Sequence, residues 1–263
     1  MFYSQNGEDY ILNQLFKDKD NGVFAEIGCI DGLRFSNTLY FEEKGWTGVC
    51  VEAHKGYIDM LRKNRPRSIV VHAAVSETNQ DSATFFANSR GSLSTLDPGM
   101  ENEFKTTYGK YFTGFESQTV PMKTLQTIFG ENGIENIDIL SLDIEGFEVE
   151  AVKGLDLSIH QPGVMVVESD STAHERRLDR LILPHGYKKT ARVSKNIFYC
   201  HPRIKTAGIE NKRFWVNVCH TAHPLDDTGD KNIKRLVDTR LRVPTGEKIK
   251  SRLAGLAKKI SFR

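Results

Sequence analysis

The sequence predicts an α/β protein: a mostly parallel sheet with helices on both faces, its last strand in chain order antiparallel. Three observations lead there. Short β-branched runs recur without polar alternation, as strands covered on both faces require. Helix-like stretches separate most of these runs, which makes a βαβ succession with right-handed crossovers. Two late runs, "YKKTARV" (187–193) and "NIFYC" (196–200), are only two residues apart, a gap suited to a hairpin and too short for a parallel crossover.

The opening "YSQNGEDYILNQLF" reads as an amphipathic helix over 4–17, with Asn6 able to cap it, Asp9 three residues later, and Ile11, Leu12, Leu15 and Phe16 on one face. The strand-like runs are "VFAEIG" (23–28), "GVCVEA" (48–53), "SIVVHAAV" (68–75), "IDILSLD" (137–143) and "GVMVVES" (163–169). Helical patterns are expected over 37–44, 55–64, 122–131, 147–153 and 173–183. Between 87 and 118 periodicity is lost and Asn, Ser, Gly, Arg and aromatics gather, as in a binding loop or lid.

No stretch approaches the roughly 18 apolar residues of a membrane span, and the start lacks the pattern of a secretory signal. Cys29, Cys50, Cys200 and Cys219 form no C-x-x-C pair, so free, mostly buried thiols in a reducing cytoplasm are expected. Charge is unevenly spread. Residues 201–263 carry 15 Lys and Arg against 6 Asp and Glu, whereas 1–200 carry 21 against 28. A domain over 1–200 followed by a basic extension over 201–263 is the expected organisation. The extension suits an anionic surface or the acidic body itself.

An open parallel sheet binds its ligand beyond the carboxyl ends of its strands. Here those ends carry acids and glycines: Glu26, Gly28, Asp31 and Gly32, then Glu52, then Asp143 and Glu145, then Glu168 and Asp170. A pyrophosphate cofactor asks the first turn for G-x-G-x-x-G and for positive potential. The turn "GCIDG" has too few glycines and an aspartate, which suits a cationic ligand such as S-adenosylmethionine. Glu52 stands about 24 residues after Gly28, where an acid accepts ribose hydroxyls from either cofactor class.

The pieces "SQNGEDYIL", "AEIGCIDGLRFSNT", "GWTGVCVEA", "HAAVS" and "IDILSLDIEGFEVEAVKGL", in that order, resemble the FkbM family of S-adenosylmethionine-dependent methyltransferases across roughly 4–200. The resemblance implies the class I methyltransferase (Rossmann-like) fold: seven strands, mostly parallel, the last antiparallel, with helices on both faces. It also implies an enzyme that methylates hydroxyl groups of sugars or natural products. By the same resemblance Glu26, Gly28, Asp31 and Gly32 surround the methionine part of the cofactor, with Ser36 and Asn37 nearby. Glu52 and Ala53 hold the ribose, while His72, Ala73 and Ala74 flank the adenine. Gln5 and Asp9 belong to a family motif that would close over the methionine ammonium, although helix capping alone also explains them.

Transfer to a hydroxyl needs a group that takes its proton or a metal that acidifies it. "SLDIEGFE" lacks the Asn-Pro-Pro-Tyr type of sequence that holds an amino acceptor, so oxygen is the expected acceptor. Asp143, Glu145 and Glu168 are the expected catalytic acids, Asp143 also bordering the cofactor. Asp143, Glu168 and Asp170 together would offer oxygen ligands to Mg²⁺. His174 is a further candidate base or a surface residue. "CHTAH" (219–223) with His201 has metal-ligand residues but lacks a paired structural-zinc spacing. The loop "NSRGSLST" (88–95), with Tyr108, Tyr111 and Phe112, would wall the acceptor site.

The closing "GEKIKSRLAGLAKKISFR" places Ile249, Leu253, Leu256 and Ile260 at helical spacing. It would lie on an anionic membrane as a peripheral contact, or pack on the body or a second subunit as a homo-oligomer contact. Aromatic residues are not interleaved with its charges, so no nucleic-acid partner is expected. The reading is a cytoplasmic O-methyltransferase with a sugar or glycan acceptor. Its alternatives are an NAD(P)-dependent oxidoreductase or epimerase on the same sheet, and a non-catalytic methyltransferase-like scaffold recruited by its basic tail.

Overall fold

Unalternated β-branched runs have no solvent face, so they form the middle of a three-layer fold. The computed structural model describes residues 1–206, 208–220 and 231–241. In chain order its strands are β1 (Val23–Ile27), β2 (Thr47–Glu52), β3 (Ser68–His72), β4 (Ala74–Val75), β5 (Gln80–Ala87), β6 (Glu116–Lys123), β7 (Ile139–Leu142), β8 (Val164–Glu168), β9 (Lys188–Val193), β10 (Asn196–Cys200), β11 (Arg213–His220) and β12 (Lys231–Asp238). The helices are α1 (Glu8–Leu15), α2 (Leu39–Glu43), α3 (Ile58–Asn64), α4 (Glu101–Tyr108), α5 (Leu125–Glu131), α6 (Glu148–Lys153) and α7 (Thr172–Ile182).

Seven strands form the main sheet in the order β3-β2-β1-β7-β8-β10-β9. Strands β3, β2, β1, β7 and β8 pair in parallel, and β10 runs antiparallel to both β8 and β9. The hairpin expected from the two-residue gap therefore forms. Its second strand inserts between β8 and β9, leaving β9 at the edge. The strand order reverses between β1 and β7, which opens a crevice above their carboxyl ends.

Side chains alternate across the sheet. Ala25 and Ile27 of β1 enter one buried cluster with Val49, Leu140 and Val167, covered by Leu125, Val152 and Ile182 of α5, α6 and α7. Phe24 points the other way, into a second cluster with Ile11 and Leu12 of α1, Phe41 of α2, and Leu61 of α3. Val216, Val218 and Val237 of the β11–β12 hairpin are buried in that same cluster. The hairpin is also stitched to the amino terminus, where the Cys219 amide donates to the Phe2 carbonyl at 2.7 Å. The basic residues of β11 and β12 thus belong to an element that completes a core. The amphipathic stretch 246–263 lies outside the described residues.

Three expectations about elements are corrected. The opening helix starts at Glu8, not near Ser4, because Gly7 sits at φ 97° and Ser4 Oγ accepts the Gly7 and Asp9 amides in place of an Asn6 cap. The run 68–75 divides at Ala73, after which Ala74 and Val75 pair with β6 instead of the main sheet. The segment 87–118 is an insertion between β5 and β6, which pair with each other and carry helix α4 between them. Among the described residues all four cysteines are free and buried, and no helix is long and apolar enough to cross a membrane.

A buried ionic knot fixes the loop after β1. Arg65, at the end of α3, is fully buried and donates to Glu42 at 2.5 Å and to Glu26 at 2.9 Å. Its other nitrogen donates to Thr38 Oγ1 at 2.7 Å. Glu26 also accepts from the Ser36 and Thr38 hydroxyls and from the Asn37 amide. One guanidinium therefore ties β1, the segment 36–38, α2 and α3. Removing one member of such a set leaves a buried charge unmatched, which costs about 3–5 kcal/mol. Arg65→Ala is expected to lose that much in urea unfolding monitored by circular dichroism, and a loss below about 1 kcal/mol would show the knot to be dispensable.

Candidate active site

Strand ends and the insertion after β5 enclose a cavity of ≈ 950 Å³. Its floor is the crevice between β1 and β7. Gly28 is required there. Its φ is 88°, and a Cβ would stand 1.9 Å from the Asp143 carbonyl oxygen. Ile30, Phe35, Glu145 and Ser194 also line the cavity, each a non-glycine residue with φ between 51° and 62°. Left-handed backbone of that kind is costly and gathers at sites where surrounding structure holds it in place.

On one side Glu52, at the end of β2, accepts the Ile30 amide and the His54 amide, each at 2.7 Å. Burial pushes its carboxyl up to about 7 despite those bonds. Beyond it Ala53, Ala73, Ala74, Val75 and Phe85 make a narrow apolar slot. Ser36 and Asn37 line the opposite side, Ser36 bonded to Glu26 and Asn37 Nδ2 donating to Ser141 Oγ at 2.9 Å. Gln5 lies at the rim, where Ser4 bridges the backbone of Phe35.

Five residues expected at the site do not line it. Asp9 is buried beneath, accepting from the Ser4 hydroxyl and the Tyr3 amide. Asp31 turns inward and accepts the Leu33 and Arg34 amides, so it shapes the loop. Gly32 packs on Leu61 and Arg65, where a Cβ would stand 2.6 Å from each. His72 Nε2 bonds to the Ala53 carbonyl at 3.0 Å, holding the end of β2. Asp170 is exposed and pairs with Lys195. Glu26 borders the cavity, yet both its oxygens are occupied by the Arg65 knot, so its work is to hold the loop.

The far end of the cavity is acidic. Asp143 and Glu145 follow β7, Glu168 ends β8, and one carboxylate oxygen from each lies within 4.8 Å of the others. Glu145 thus takes the place expected of Asp170 in the oxygen cluster. Like charges in a dry site disfavour simultaneous ionisation. Burial pushes Asp143 up to about 6, with Glu148 adding to the shift. Glu168 is pushed up to about 9 by burial and by Asp143 and Asp170. Glu145 is driven well up by burial and by Glu168. Glu148 lies beneath and accepts the Ile144 amide at 2.9 Å. His174 stands behind the cluster, its Nε2 3.5 Å from Glu148, and does not line the cavity. His201 packs against Tyr187, and His220 to His223 lie outside what is described of side chains.

Sequence reasoning missed two members of the wall. Lys195 at the β9–β10 turn reaches 3.4 Å from Glu168 and contacts Asp170, supplying the only cation whose ion pairs touch the cluster among the described residues. The hairpin was legible, but nothing in it signals that its tip folds over the crevice. Arg34, in the loop after Asp31, faces the cavity beside Arg90. The loop 88–95 brings Arg90, Ser92 and Ser94 to the cavity, which Tyr108 and Tyr111 also line. Phe112 is buried behind with Phe104 instead of facing the site.

The donor set suits S-adenosylmethionine and not a dinucleotide. The carboxylates that frame the crevice favour a cationic ligand over a pyrophosphate, while Glu52, the small residues beyond it and the floor cleared by Gly28 fit the ribose and base that both cofactor classes carry. The geometry is joined by sequence comparison. The family model described as "Methyltransferase FkbM domain" matches residues 22–189. A search of curated proteins found no match. Among solved structures, the chain is similar to a precorrin-6y C5,15-methyltransferase from Geobacter metallireducens GS-15 at 12% identity and TM-score 0.40, covering 88% of this chain and 82% of that one. It is also similar to an O-methyltransferase from Bacillus cereus in complex with SAH at 15% identity and TM-score 0.40, covering 73% and 78%. Likenesses of that size say nothing about chemistry. The match over 22–189, together with the strand order and the acid-lined crevice, makes this chain a member of the FkbM family of S-adenosylmethionine-dependent methyltransferases.

Proposed function

We propose that the enzyme methylates a hydroxyl oxygen of a sugar, free or within a glycan or glycosylated metabolite. One observation carries this reading: three carboxylates from adjacent strand ends converge at the end of the cavity, and their proton affinities are raised and unequal. Bound S-adenosylmethionine would supply an electrophilic methyl group on sulfur with a neutral thioether as leaving group. The chain's task is then to orient a hydroxyl, exclude water and take one proton as the oxygen–carbon bond forms.

Burial and mutual repulsion raise both carboxyls, Glu168 further than Asp143, so the pair shares one proton near neutral pH and Glu168 is its main holder. Asp143 is therefore the acceptor of the hydroxyl proton, and protonated Glu168 is its hydrogen-bonded neighbour. Glu145, the third carboxyl, is pushed up by burial and by Glu168 and Asp143, and its side chain stands within reach to hydrogen-bond the substrate. Tyr108 and Tyr111 supply flat faces for the C–H side of a sugar ring, while Ser92 and Ser94 supply hydroxyls for its edge. Mg²⁺ is the competing reading. Asp143, Glu145 and Glu168 offer oxygens within 4.8 Å of one another, but Lys195 already brings positive charge to Glu168, which disfavours a dication beside it.

Two outcomes are expected from methyl-transfer assays on a sugar panel, with products read by mass spectrometry. Asp143→Asn lowers kcat by about 10²–10⁴-fold. The wild-type rate rises with pH through about 6, as Asp143 loses its proton. A flat profile, or an Asp143→Asn variant at full rate, would remove Asp143 as the base. Activity abolished by EDTA and restored by Mg²⁺ would move that role to an ion.

A further inference from the structure

The cavity has two electrical ends. Its far end is acidic, but its lining also carries Arg34 and Arg90, and Lys110 stands next to them at the Tyr111 ring. Among the described residues none of these three has an Asp or Glu within ion-pairing distance, whereas nearby Lys105 and Lys195 are both paired. Arg34 and Arg90 thus line the cavity without a carboxylate partner, and Lys110 shares the Tyr111 ring with Arg90.

They are also held in place. Asn88 is fully buried, and its side-chain oxygen accepts the Arg90 amide at 3.0 Å while its amide group donates to the Gly114 carbonyl at 2.9 Å. The Arg90 carbonyl accepts from Arg34 Nη2 at 2.5 Å. Gly91, at φ 77°, presses on Tyr57 and Ile30, and Thr95 ties the loop to the Glu145 carbonyl at 3.0 Å. The Arg90 backbone is thus fixed on both sides while its guanidinium stands over Tyr111, 5.5 Å from the ring centre, and Lys110 lies 5.4 Å from that centre. Arg34 spends one nitrogen on a carbonyl and engages the Tyr57 hydroxyl, yet its buried Nε has no hydrogen-bond partner. Arg34 and Arg90 both line the cavity, where an oxyanion can accept from guanidinium N–H groups.

We propose that the acceptor is anionic: a sugar bearing a phosphate, pyrophosphate or carboxylate group, which docks on Arg34, Arg90 and Lys110 while its hydroxyl reaches Asp143. This rests on the sugar-methylation reading above and narrows it. Oxyanions match the planar donor fork of arginine, and a neutral sugar would leave the three cations without a function. The separation also orients the substrate, since an anionic group is drawn to the arginines while the carboxyl cluster is left to the hydroxyl.

The test is calorimetric titration of the protein, with and without saturating S-adenosylhomocysteine, using glucose 1-phosphate, glucuronate and methyl glucoside as probes. The two anionic sugars are expected to bind at least about tenfold more tightly than the neutral one, which is the scale of one charge-assisted hydrogen bond. Arg90→Ala and Lys110→Ala are each expected to weaken the anionic probes by about tenfold, with Arg90→Lys retaining part of the affinity and S-adenosylhomocysteine binding unchanged. The phosphate and carboxylate arms separate the two sources of charge. Equal affinity for all three probes, no measurable binding of either anion, or anion binding indifferent to Arg90→Ala would overturn the proposal. Failure of S-adenosylhomocysteine itself to bind would instead count against the methyl-transfer reading, because the anion arm is also run without it.

Discussion

The site depends on one buried cation. Arg65 lies under the loop that follows β1, and without its charge Glu26 and Glu42 would face each other in a dry interior. With it, Glu26 can organise the segment from Ser36 to Thr38, which in turn sets one side of the cavity. A carboxylate ending a strand beside the cofactor crevice is thereby a structural member of the site. The residues left to meet ligand are those whose polar atoms are not consumed in the knot: Glu52 on one side and the acid cluster on the other.

Charge separation is the second organising feature. Asp143, Glu145 and Glu168 compete for protons where burial raises all three, and Lys195 is the cation paired with Glu168. The site is poised because full ionisation of all three is unfavourable, which is the condition under which a carboxylate becomes basic enough to work near neutral pH. The same low-dielectric floor strengthens the attraction of a sulfonium and the repulsion of an anion.

Much of the main sheet was legible because its strands are buried on both faces, so their residues read as unbroken apolar runs with acids or glycines at their ends. The three-stranded side sheet was not. β5 and β6 expose much of their length, and Pro121 within β6 reads as a breaker; it is accommodated where the pairing with β5 shifts between Gln80 and Ala83. The β11–β12 hairpin was masked by its charge, since Lys and Arg residues surround the few valines that reach the core. Glu26 and Arg65 mark the limit in the site. A strand-end acid looks like a ligand contact until its partner is known, and Arg65 sits in "RKNRPR", where nothing in sequence distinguishes the one cation that turns inward from those that stay in water. Asp9, Asp31 and His72 failed for the same reason: their polar atoms are spent on nearby backbone and hydroxyl groups.

The central claim is that this crevice, acid-lined and cleared by Gly28, holds S-adenosylmethionine with Glu52 as an anchor. Parallel calorimetric titrations of S-adenosylhomocysteine, NAD and NADP into wild type and Glu52→Ala test it most directly. The account predicts binding of S-adenosylhomocysteine alone, lost or strongly weakened in the variant. Binding of NAD or NADP, or of none of the three, would contradict it.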